Sequence, residues 1–143
     1  MDQNLHLLNA IYQNAHMASE AIDTLMPKAE ETPLYGELGR QQAEYQRFTA
    51  KATDLMHAYD QHEPPQPGAI QKAATWAGIQ WNTLLDDSAS HMAEMMIQGG
   101  QMGITDLTRQ LKEHCCCDKP VTQLGQDLLT FEQNSLEQMK KYL

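Results

Sequence analysis

Five side chains carry most of the chemistry this chain could do: Glu20, Glu44, His91, Glu94 and Glu132. Carboxylate oxygens and imidazole nitrogens are donors for iron, manganese and related cations. Glu44-x-x-Arg47, His91-x-x-Glu94 and Glu132-x-x-Ser135 each put two polar groups one helical turn apart. Helical phase ranks the five. At about 100° per residue, Glu132 falls near the apolar face of its segment, Glu44 at a boundary, and Glu20 and Glu94 nearly opposite theirs. One reading leaves most of these five residues in solvent; two more concern Glu132. It belongs either to a hydrogen-bonded core layer in which Tyr12, Gln41 and Tyr45 satisfy it, or to a metal layer with Glu44 and His91, extended to Glu20 and Glu94 by a small helix rotation.

A second constellation is Glu113-His114-Cys115-Cys116-Cys117-Asp118. Thiolate, imidazole and carboxylate are all transition-metal ligands, but a closed zinc site takes pairs from two separated knuckles, and no second Cys/His pair has that spacing. The segment reads as a helix end and loop carrying free thiols. Four of the nine methionines, Met92, Met95, Met96 and Met102, fall on one segment; thioethers fill irregular gaps and adaptable faces, so a core or dimer face is expected. His16 and Glu20 stand at i, i+4 and read as a solvated pair. There is no glycine-rich phosphate loop, nucleophile elbow or zinc-protease pair.

The elements that must position these residues are helical throughout. Leu8, Ile11, Ala15, Ala18, Ile22 and Leu25 repeat at the helical period over about 4–25, with Pro27 as the expected stop. Thr32 and Pro33 open a second helix, as N-cap and first helical residue. Its stripe is Leu34, Leu38, Gln41, Tyr45, Phe48, Ala52, Leu55 and Tyr59. A third long helix runs over about 88–113 on Met92, Met95, Met96, Gly99, Gly103 and Leu107. In it Gly99-Gly100 either kinks the helix or admits a close neighbour. The last starts at Asp118, with Pro120 in its first turn, and presents Val121, Leu124, Leu128, Phe131, Ser135, Met139 and Tyr142. Between the second and third, residues 62–87 include a proline-rich stretch and a short helix over 69–84 carrying Trp76 and Trp81.

Two tight connections and one long one predict an all-α, single-domain, up-down-down-up four-helix bundle over 1–143, with the short extra helix in the long crossover. In helix lengths and crossover position the chain resembles the ferritin-like superfamily, and in particular its small bacterial members of uncertain function. That resemblance implies a di-iron or di-manganese centre built from two Glu and two Glu-x-x-His motifs. Glu44-x-x-Arg47 and Glu132-x-x-Ser135 match the motif without its imidazole, and His91-x-x-Glu94 reverses it. The expectation is a degenerate member: a bundle acting by packing or partner binding without a complete di-iron centre. The alternative is a metal-binding or oxidative-stress protein using Glu44, His91 and Glu132, with Glu20 and Glu94 as further ligands to iron or manganese.

Composition bounds the partners. The 143 residues are 41% hydrophobic and 20% charged, with a net charge of −9, which suits a globular domain with its own core. An acidic chain whose only paired cations are Lys140-Lys141 lacks the positive field that nucleic acid or an anionic membrane requires. No run approaches the roughly 20 apolar residues that span a bilayer, and MDQNLHLLNA has neither the basic nor the apolar part of an export signal. Three adjacent cysteines make no disulfide framework. A cytoplasmic protein, with a homodimer contact on its Met- or Trp-bearing face, is expected.

Overall fold

The computed structural model describes residues 2–59 and 88–143. They form four helices: α1 (Gln3–Ala29), α2 (Leu34–Ala58), α3 (Ala89–Glu113) and α4 (Lys119–Lys140). The short helix expected over 69–84, with Trp76 and Trp81, lies outside the described residues, as does the whole of the long crossover over 62–87. Among the described residues the architecture is all-α, and no helix is long and apolar enough to cross a membrane.

Each helix begins where its local chemistry allows. The Asp2 carboxylate accepts from the Asn4 N–H at 2.9 Å and caps α1. Ser88 does the same for α3, its hydroxyl accepting from the His91 N–H at 3.2 Å. Pro27 does not stop α1, which continues to Ala29. A proline removes one backbone hydrogen bond and crowds the turn before it; in the final turn little of the ladder is left to lose. The chain closes at Thr32, whose N–H and hydroxyl both donate to the Ala29 carbonyl oxygen at 2.8 Å. The same hydroxyl accepts from the Leu34 N–H at 3.3 Å and so opens α2.

The core is built mainly from the expected stripes, though Leu7 and Met56 lie outside them and Leu55, Tyr59, Met96 and Phe131 on them are only half-buried. Leu7, Leu8, Ile11, Ile22 and Leu25 of α1 are fully buried with Leu34 and Leu38 of α2, Met92 and Leu107 of α3, and Val121 and Leu128 of α4. Each such side chain contributes roughly 2 kcal/mol of transfer free energy. Phe131 joins α2 to α4, meeting Tyr45 edge-on with ring centroids 5.0 Å apart and Phe48 at 5.7 Å. Of the Gly99-Gly100 pair, Gly99 faces open space and Gly100 faces Leu136 at ordinary contact distance. The close approach occurs one turn later, at Gly103.

Four helix ends meet at one end of the bundle. Asn4, buried at the start of α1, accepts from the Asp118 N–H through its Oδ1 at 2.7 Å. This satisfies a donor that the beginning of α4 would otherwise orphan. The Asp118 carboxylate caps nothing, because it accepts from the Tyr59 hydroxyl just past α2. That bond and the nearby negative charges push the Tyr59 phenol up to about 12. His6 of α1 stacks on His114, the residue closing α3, at 5.5 Å.

Candidate functional site

Glu132 is the one buried carboxylate among the described residues, with 3% of its surface exposed. The repeat Val121, Leu124, Leu128, Glu132, Ser135, Met139 places it inward, since it continues the apolar face of α4. Burial first, and the negative charge of Asp106 second, push its carboxyl up to about 8. The acid therefore holds its proton at neutral pH. Its Oε1 has no hydrogen-bond partner.

Space for the carboxyl comes from Gly103. A Cβ at that position would stand 2.8 Å from Glu132 Oε2 and 3.3 Å from Asn14 Oδ1. Any side chain there would push the acid aside. Asn14 of α1 in turn donates through Nδ2 to the Gly103 carbonyl oxygen at 2.9 Å, a buried bond tying α1 to α3 beneath the acid. From α2, Gln41 and Tyr45 reach the same layer. The Tyr45 phenol is raised well above its ordinary value by burial and then by Glu132.

These groups surround a cavity of ≈ 70 Å³ to which all four helices contribute. One water needs about 10–15 Å³ of such space, so several would fit. Asn14, Gln41, Tyr45, Glu132 and Ser135 are its polar lining; Met17, Met96, Met102 and Met139 supply flexible apolar walls, and Gly99, Gly100 and Gly103 leave the room on the α3 side. Met102, on the same lining, is 49% exposed. Three buried atoms on this lining lack a partner: Gln41 Nε2, Glu132 Oε1 and Ser135 Oγ. Gln41 and Tyr45 thus stand where the core-layer reading puts them, but no hydrogen bond satisfies Glu132 Oε1. Tyr12, the third partner in that reading, stacks on His16 instead, with ring centroids 5.7 Å apart.

The other sequence candidates do not gather around Glu132. Glu44 pairs with Arg47 at 3.0 Å and Glu20 lies 3.5 Å from His16, each within its own helix. His91 Nδ1 is 3.7 Å from Glu94. His91 precedes Gly103 by twelve residues, or roughly 18 Å along α3. Among the described residues no three His, Cys, Asp or Glu side chains come together as a metal ion would require. A di-iron or di-manganese centre does not fit this donor set: one protonated carboxyl is flanked by amides, a hydroxyl and thioethers.

The cysteine segment behaves as a loop with free thiols. Cys115 and Cys116 are exposed, their sulfurs 3.7 Å apart, and Cys117 donates to the Gln3 carbonyl oxygen at 3.3 Å. The Cys116 thiol is raised by its bond to Cys115, and Cys117 by burial and then Asp2. Both shifts hold back the thiolate that metal binding and nucleophilic attack need.

Sequence reasoning missed Asn14 and did not connect Gly103 to Glu132. Asn14 carried a legible signal, since it sits between Ile11 and Ala15 on the apolar face of α1. No family description, curated protein or solved structure matches this chain.

Proposed function

We propose that this protein binds a small molecule in the cavity between its four helices, with the Glu132 carboxyl as polar anchor and the methionines as adaptable walls. The observation that carries this reading is the convergence of Gln41 Nε2, Glu132 Oε1 and Ser135 Oγ, all buried and all unpartnered, on one space. A buried polar atom without a partner costs about 1–3 kcal/mol. Three on one lining are an arrangement that a hydrogen-bonding guest relieves. Mostly apolar walls with a few convergent polar groups are the usual make-up of a small-molecule site. Among the described residues the lining pairs no nucleophile with a positioned base, and binding rather than turnover is the reading.

The scaffold we infer is an up-down-down-up, ferritin-like bundle without that family's di-metal donors. Its support is the meeting of the α1 start, the α2 end, the α3 end and the α4 start at one end of the molecule. The test is a ligand-observed magnetic resonance screen of small fragments against the wild type and Gly99→Leu. Gly99 lines the cavity and a Cβ on it meets nothing within 4 Å, so a leucine enters there without a clash at its root. Fragments that bind the wild type and are lost from a folded Gly99→Leu protein support the site. No binding, or binding indifferent to the filled cavity, overturns it.

A further inference from the structure

The charge of the guest is written into the walls. No Lys, Arg or His lines the cavity among the described residues, so an anionic head would be buried with nothing to neutralise it. The acidic groups acting there are the protonated Glu132 carboxyl and the Asp106 carboxylate. Glu132 faces the space from α4, and Asp106, half-exposed and paired to Arg109 at 3.3 Å, stands one turn beyond Gly103 on α3. From α2 the titratable neighbour is Tyr45, and from α1 the neighbour is the neutral Asn14. The protein as a whole carries a net charge of −9, which raises the local concentration of cations.

We propose that the guest is an alkylammonium ion, a primary amine on a short apolar chain, seated with its nitrogen between Glu132 and Ser135 and its chain along the methionines toward Met102. This rests on the small-molecule reading above and gives it a ligand class. The head supplies N–H donors for Glu132 Oε1 and Ser135 Oγ, and a counter-charge for the carboxylate that forms when Glu132 gives up its proton on binding. Gln41 adapts by turning its amide over to present oxygen, since its Nε2 has no acceptor to lose. Thioethers suit the chain because their unbranched side chains repack around guests of different length. The cavity, at ≈ 70 Å³, has room for the head and first carbons, and Met102 is the most exposed methionine of its lining.

Binding carries a proton signature. The amine enters already protonated, as free alkylammonium ions are at neutral pH, much like the Lys side chain. Glu132 enters the exchange as the neutral acid. The complex is the carboxylate–ammonium pair, so the carboxyl O–H bond breaks and its proton goes to solvent, close to one for each amine bound.

Isothermal titration of the whole protein with n-butylamine at neutral pH, in phosphate and in a sulfonate buffer of different ionisation heat, reads this directly. The expected result is saturable binding with near-unit proton release. Affinity falls by about tenfold or more for n-butanol and for Glu132→Gln, with the release abolished in that variant, and butyrate does not bind. Butanol binding as tightly as the amine, or amine binding without proton release, overturns the ammonium assignment while leaving the cavity a small-molecule site. Failure of amine, alcohol and butyrate alike, against fragments that do bind in the screen, also overturns it; failure of every probe and fragment overturns both readings.

Discussion

The Asn14 amide donates to the Gly103 carbonyl oxygen across 2.9 Å in the buried centre of the bundle, and the carboxyl of Glu132 lies over the same glycine. One position on α3 thus joins α1 by a hydrogen bond and α4 by the absence of a side chain. Asn14→Ala gives up the bond and leaves a small void. A loss of about 1–2 kcal/mol in unfolding free energy is expected, read as a lower urea midpoint at unchanged slope.

The pH dependence of stability reports on Glu132. Its carboxyl is raised from an ordinary 4.5 to about 8, chiefly by burial. Between those values the folded chain keeps a proton that the unfolded chain has released. The contribution is therefore complete below about pH 4.5, declines through the window and is gone above about pH 8, a fall on the order of 4 kcal/mol. Glu132→Gln removes this slope, so wild-type and variant urea midpoints measured across the window diverge steadily as pH rises. Parallel curves would contradict the buried, protonated acid.

Two Gly→Ala substitutions should act with opposite sign. At Gly99 the new methyl group meets nothing within 4 Å, so the gain in helix propensity, about 1 kcal/mol, is realised as added stability. At Gly125 it would stand 2.8 Å from Leu111 Cδ2 and 3.4 Å from Ile11 Cδ1. Overpacking of that kind costs typically 1–3 kcal/mol, which offsets the propensity gain and leaves a net loss. Thermal unfolding of the pair measures both.

Much of the helical framework was legible because burial follows the 3.6-residue period. Leu8, Ile11, Ile22 and Leu25 on α1, Leu34 and Leu38 on α2, and Val121, Leu124 and Leu128 on α4 are buried as their spacing implies. Glu132 was legible in the same way, as a polar residue in register with its apolar neighbours. The end of α1 was not: Pro27 reads as a stop, yet the bonds that close the helix are made by Thr32.

What the amino-acid order by itself determined is therefore local: four amphipathic segments and one carboxylate in an apolar stripe, while α2 begins one residue later than its sequence signal, with Pro33 at the N-cap position in place of Thr32. The tertiary structure alone decided what that carboxylate meets. Helical phase says which side of α4 Glu132 occupies but not which residue of another helix stands at its height. The fold put Gly103 and the Asn14 amide there, beside the Gln41 and Tyr45 that the sequence had already suggested for that layer. His91 and Glu94 stayed roughly 13–18 Å away along α3. Axial register between helices arises from side-chain packing across the whole core, a property of no single segment, so a polar layer sketched from phase becomes a cavity with one protonated acid only when the four helices are assembled.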